Sequence, residues 1–220
     1  MIGGARHPYL PPGGPIAIHF LDKHLAVVEK PAGLLSVPGR GPEKADCLML
    51  RLHAELPDAL NVHRLDMETS GLIVVARDKQ TQRRLSQAFE NRDVTKTYEA
   101  LVAGKMPDEQ GTVELPLIAD WPNRPRQKVD QSNGKPSFTA WQVVDRYGDS
   151  CRVLLHPKTG RSHQLRVHLD AIGHPILGDS LYGSDESRSA ASRLMLHAVS
   201  LAFSHPHTGE EIRIKSATPF

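Results

Sequence analysis

The stretch "NVHRLDMETSGLIVVA", residues 61–76, changes character halfway along. Its first half is polar and turn-forming, with His63, Arg64, Asp66, Glu68, Thr69, Ser70 and Gly71. Its second half, Leu72 to Ala76, is an unbroken apolar run rich in β-branched residues, the pattern of a buried strand. A polar turn leading into that strand is one reading. A catalytic loop pinned to a rigid sheet is the other.

Working outward, the chain of 220 residues has room for one good core or two small domains. Apolar residues make up 39% and charged residues 24%, ordinary values for a globular protein. No apolar stretch reaches the roughly 20 residues of a membrane span, and the N-terminus lacks the apolar core of an export signal. Cys47 and Cys151 are the only cysteines, which supports neither a disulfide framework nor a cysteine zinc site. A reducing cytoplasm is the expected compartment. The net charge is only +2, but its distribution is uneven. Ser150 to Leu169 holds no acid beside Arg152, Lys158, Arg161 and Arg166, and "WPNRPRQK" (121–128) adds Arg124, Arg126 and Lys128. Such blocks are either solvated basic faces or a positive surface for a polyanion.

Residues 1–15, rich in glycine and proline, read as a flexible lead-in to a single domain over 16–220. Strand patterns follow at 16–20, 25–30, 72–77, 96–104, 138–147, 151–157, 194–206 and 210–216. A first helix is predicted from Asp46, as its cap, to Leu56 before Pro57. A second is predicted over 79–91, with Leu85, Ala88 and Phe89 on one face, and a third over 162–173, with Leu165, Leu169 and Ile172 in register and Gly173 as its stop. Strands outnumber helices and do not alternate strictly with them. The expected fold is therefore α+β, on a mostly antiparallel mixed sheet flanked by helices.

Twelve histidines invite a metal reading. His163 and His168 are five apart, about 140° round a helix, so they diverge. His205 and His207 could share a strand face, but no third ligand is evident, and no metal is expected. Nucleotide-cradling glycine loops and a serine nucleophile elbow are absent. That leaves Asp66. A loop aspartate is most often a turn or cap residue. With Arg64 two residues away it can also stay ionised and act as nucleophile or base.

"HRLDMETSGLIVVA" resembles the HRLD-x-x-TSG signature of the RluA-type pseudouridine synthases. "KTYEALV", "GRSHQLRVHL", "GHPILGDSLYG" and "LMLHAVSLAFSHP" resemble the further blocks of that family, in its order and over residues 27 to 205. The resemblance implies isomerisation of uridine to pseudouridine in RNA, without cofactor or metal. It implies the pseudouridine synthase catalytic domain, here with no room for an N-terminal S4-type module. Asp66 takes the place of the essential aspartate, Tyr98 that of the base-stacking aromatic, and Arg166 that of an arginine paired with the aspartate. Without the motif, Tyr98 reads as a sheet tyrosine and Arg166 as a helix arginine bonded to Asp170. Arg64 matches an arginine that contacts RNA where the base has flipped out. His63, Arg161, His163 and Gln164 would line the RNA cleft. Trp121, Arg124, Arg126 and Lys128 would grip the RNA, and Leu194 and Leu196 would wall the uracil. "DWPNRPRQK" resembles the branch of the family that modifies both a tRNA anticodon stem-loop and a large-subunit rRNA hairpin. The chain is expected to act as a monomer, with no obligate protein partner and no membrane. Two other classes remain open: a catalytically inactive RNA-binding or RNA-folding protein, and a metal-dependent hydrolase.

Overall fold

The apolar run becomes an interior strand of the sheet, β4 (Ser70–Ala76), every residue of which is buried. Alternate side chains serve two cores. Ile73 and Val75 join Ala26, Val28 and Leu52 on one face, and Leu72, Val74 and Ala76 join Leu25, Val27 and Leu85 on the other. A strand covered on both sides has no face for polar residues, which is why the run does not alternate.

The computed structural model describes residues 9–220. Around β4 lie β1 (Ala17–Leu21), β2 (Leu25–Lys30), β3 (Leu60–Asn61), β5 (Thr95–Ala103), β6 (Gln110–Val113), β7 (Leu117–Ala119), β8 (Gln127–Val129), β9 (Thr139–Tyr147), β10 (Ser150–Pro157), β11 (Leu196–Ser204) and β12 (Glu211–Lys215). The main sheet runs β1-β2-β4-β11-β5-β10-β9-β6, with β12 on β11 and β3 on β4, while β7 and β8 form a separate hairpin. Among the described residues every pairing is antiparallel except one. β11 meets β4 in parallel over two residues, His197 opposite Ser70 and Ala198 opposite Gly71. Gly71 has φ 116°, and a Cβ there would lie 2.5 Å from both the N and the O of Ala198. The glycine of the motif is thus required where the two backbones meet. The α+β expectation is met.

Among the described residues four helices flank the sheet: α1 (Leu48–Leu52), α2 (Lys79–Asn91), α3 (Gln164–Ala171) and α4 (Asp185–Ser189). The second predicted helix is α2, capped by Asp78, whose carboxylate accepts from Thr81 N. The first is shorter than predicted and capped differently. Asp46 is engaged by both Nε and Nη2 of Arg51 at 2.8 and 2.7 Å, so the Sγ of Cys47 caps α1 instead. The lead-in expectation for residues 1–8 lies outside the described residues. Tyr9 is anchored: its hydroxyl donates to Asp46 O and accepts from Leu35 N. The short strands β3, β6, β7 and β8, and the helix α4, carry too little apolar pattern to be read from sequence.

Candidate active site

Between β3 and β4 the loop of residues 63–69 is tied down almost residue by residue. His63 Nε2 accepts from Val74 N at 3.1 Å, and its ring stacks on Phe89. The Ser36 hydroxyl donates to Leu65 O and accepts from Leu65 N, standing in for a strand partner. The carbonyl of Met67 accepts from Gly33 N and from Lys30 Nζ. Lys30 is wholly buried at the end of β2, and its three protons go to the carbonyls of Pro31, Leu34 and Met67. Thr69 N closes a turn onto Asp66 O. Among the described residues, the side chains of Arg64 and Asp66 have no hydrogen-bond partner in the protein; Arg64 is exposed and Asp66 half-buried.

Asp66 faces a cleft of about 800 Å³ whose walls include His63, Arg64, Phe89, Lys96, Tyr98, Pro125, Gln127 and the segment Lys158–His163. A smaller recess of about 100 Å³ opens from it, lined by Asp66, Thr69, Lys96, Tyr98, Arg166 and Leu196 among others. The charge of Asp66 is felt at Lys30, Tyr98, His163, Arg166 and Tyr182, residues from four separate parts of the chain. Burial pulls the Lys30 ammonium down to about 7, against the pull of Asp66. Burial and then the Asp66 charge push the Tyr98 phenol well above its ordinary value, so it stays neutral.

Arg166, on α3, is 2% exposed. Its expected ion pair with Asp66 is not formed, nor is a bond to Asp170. Nε and Nη2 clasp the two oxygens of Asp179 at 2.7 and 2.6 Å, and Nη2 also donates to Glu68 at 2.8 Å. The physical reason is that Asp179 is fixed in place: its Oδ1 also accepts from Leu181 N and Tyr182 N. Burial pulls the Arg166 guanidinium down, but Asp179, Glu68 and Asp66 together outweigh it and hold the charge above its ordinary value.

His63 lines the cleft and Gln164 the recess, but the hydrogen bonds they form are to the protein itself. His63 is a structural acceptor in the cleft wall, and burial with the nearby Lys96 charge depresses its ring to about 3. Gln164 is buried and spent inside the protein: its Oε1 accepts from Thr159 Oγ1 and Arg161 N, and its Nε2 donates to Phe138 O and Thr139 Oγ1. It shapes the Thr159–Arg161 loop from beneath. Leu196 does reach the recess, whereas Leu194 lines a separate cavity on the far side of the Met67–Glu68 turn, with both in the core. Arg161 is exposed at the mouth. His163, in the left-handed conformation at φ 54°, lies 2.8 Å by Nδ1 from the Tyr182 hydroxyl. Trp121, Arg124, Arg126 and Lys128 are all exposed on the β7–β8 arm, whose Pro125 and Gln127 touch the cleft. The Arg124 guanidinium lies 3.2 Å from the Trp121 ring centre, and that of Arg126 lies 5.3 Å from the Tyr182 ring centre.

Sequence reasoning passed over Lys30, Lys96, Thr69, Asp179 and Tyr182. All but Lys30 sit in the blocks "HRLDMETSGLIVVA", "KTYEALV" and "GHPILGDSLYG", so the signal was present without a role. Away from the cleft, His24, Asp78 and His207 bring ligand atoms within 4.8 Å of one another, a group that includes His207 but not His205. However, the His24 and His207 rings stack 3.7 Å apart at 10°, and their nitrogens rest on Asp78 and Thr81. A metal bonds in the plane of each imidazole at about 2.0–2.1 Å, so two near-parallel rings at that spacing do not aim at one ion. As placed, the cluster is a polar brace on the start of α2.

A half-buried carboxylate at an inner recess that also holds Tyr98 and Arg166 suits chemistry on one small group. Residues 24–171 match the RNA pseudouridylate synthase family. The chain belongs to that family. It is 52% identical over 202 residues to the dual-specificity RNA pseudouridine synthase RluA of Yersinia pestis, covering 91% of this chain and 98% of that one. It is 50% identical over 214 residues to the RluA of Escherichia coli (strain K12), covering 96% and 98%. Among solved structures, human RNA pseudouridylate synthase domain containing 1 superposes with a TM-score of 0.79 at 30% identity, covering 96% of this chain and 87% of that one. The chain is thus an RNA pseudouridine synthase, an isomerase acting on RNA.

Proposed function

We propose that this synthase works at the Asp66 recess and has two kinds of substrate, a tRNA anticodon stem-loop and a large-subunit rRNA hairpin. The observation that carries the site is the unpartnered Asp66 carboxylate beside Tyr98 and Arg166 at the recess mouth. The dual specificity rests on relatives of that description at 50–52% identity over nearly the whole chain.

In this reading the target uridine leaves its stack at a cost of a few kcal/mol. Stacking on Tyr98 returns about 1–3 kcal/mol of that. Arg64 enters the vacated space, and Arg161, His163 and the Trp121–Lys128 arm hold the splayed loop. Asp66 then either adds to the ribose carbon 1′ or removes a proton from the sugar to give a glycal. In both cases the bond to N1 breaks, the uracil turns, and carbon 5 is joined to the sugar with loss of its hydrogen. Enclosure in the recess keeps water from the reactive sugar. Arg166, with its charge committed to Asp179 and Glu68, sets the field in which Asp66 works.

The test is tritium release from [5-³H]uridine in both hairpin transcripts, with wild-type protein beside Asp66→Ala. Release from both RNAs by the wild type and none by the variant, with RNA affinity within a few-fold, is the expected result. Release that survives Asp66→Ala would remove the aspartate from the chemistry. Binding without release from either RNA would favour a protein that only binds those hairpins.

A further inference from the structure

Among the described residues, one buried side-chain polar atom lacks any hydrogen-bond partner: the hydroxyl of Thr69. Thr69 is 2% exposed and lines the inner recess with Asp66, Tyr98, Arg166 and Leu196. An orphaned buried hydroxyl is costly, and native proteins keep few of them without a reason. Its backbone is not at fault, since Thr69 N is satisfied by Asp66 O in the turn that aims the aspartate. The neighbouring Ser70 hydroxyl, by contrast, is engaged by His197 Nδ1 at 2.7 Å and accepts from Arg193 Nη2.

We propose that the Thr69 hydroxyl is reserved for the substrate and bonds the polar edge of the flipped uracil. Depth favours the base over the sugar. Thr69 and Leu196, each 2% exposed, form the recess floor, whereas the exposed Arg64 and Arg161 stand at the mouth, where the phosphates pass. A base entering from a strand held at the mouth reaches the floor before its ribose does. A hydroxyl can donate to a uracil carbonyl or accept from N3–H, so it can keep a partner as the base turns between cleavage and rejoining. This inference rests on the Asp66 recess being the uridine site.

The experiment compares wild type, Thr69→Val and Thr69→Ser in single-turnover tritium release and in thermal unfolding. Valine keeps the shape and removes the hydroxyl. The expected result is a rate at least about tenfold lower for Thr69→Val, with RNA affinity within threefold, a melting temperature no lower than wild type, and recovery of most of the rate in Thr69→Ser. The valine penalty should persist on RNA with 2′-deoxyuridine at the target and shrink with 4-thiouridine there. A wild-type rate in Thr69→Val overturns the proposal. So does a lowered melting temperature, which would mean that the hydroxyl has a partner in the folded protein. A penalty that disappears only with 2′-deoxyuridine overturns the assignment to the base. Asp66→Ala, run in parallel, separates failure of this inference from failure of the site itself: release independent of Asp66 removes the recess from the reaction whatever Thr69 does.

Discussion

The two walls of the cleft are built on opposite terms. On one, the loop of residues 63–69 spends buried groups on holding itself still: the Lys30 ammonium, the Ser36 hydroxyl, a neutral His63 and the Arg166–Asp179–Glu68 cluster. On the other, the β7–β8 arm carries its arginines and Trp121 in the open, stacked mainly on one another. Fixed geometry is what a reacting carboxylate needs, because small misplacement is costly in rate. An exposed, multiply basic arm suits a polyanion whose shape varies from one RNA to the next.

The sharpest break in that comparison is Asp179→Ala. It strips the bidentate partner from an arginine that is 2% exposed, and removing one member of a buried pair costs about 3–5 kcal/mol. Denaturant unfolding should register a loss of that order, whereas Asp66→Ala should unfold near the wild-type midpoint. A loss under about 1 kcal/mol would mean that Glu68 alone can hold the wall.

A smaller effect concerns His63. Its folded value of about 3 lies below the ordinary 6.5, so the unfolded chain takes up a proton first as pH falls. The contribution to stability is complete above about pH 6.5 and is lost progressively between there and pH 3. Replacing His63 by Gln should flatten the decline of the urea midpoint across that window; an unchanged decline would show that other groups cause it.

The smallest effects belong to the open arm. Arg124→Ala and Lys128→Ala should leave the melting temperature unchanged and each lower the salt slope of RNA binding by about 0.7–0.9. Slopes equal to wild type would take the arm out of the interface.

The same asymmetry explains what could be read in advance. The β4 run, α2 and the long antiparallel strands follow from local pattern, and Asp66 and Tyr98 from local motif. Partners did not follow. Arg166 was expected on Asp66, yet it lies on Asp179 and Glu68, because backbone amides have already fixed the Asp179 carboxylate within its reach. His63 and Gln164 line the cleft and its recess, yet the hydrogen bonds they form are to the protein itself. Whether a polar side chain faces substrate or protein is decided by neighbours far away in sequence, as with Gln164 and Phe138, 26 positions apart.

Gly71 carries one more consequence. At that residue the outer strands β1 and β2, through β4, are stitched to the rest of the sheet by a two-residue parallel contact with no space for a methyl group. The Asp66 loop begins one turn before that stitch. The backbone beneath the aspartate is therefore continuous from β2 through β4 to β11. Where the protein is tied together in this way, the proposed reaction asks the RNA to change shape, which favours a hairpin that unstacks cheaply.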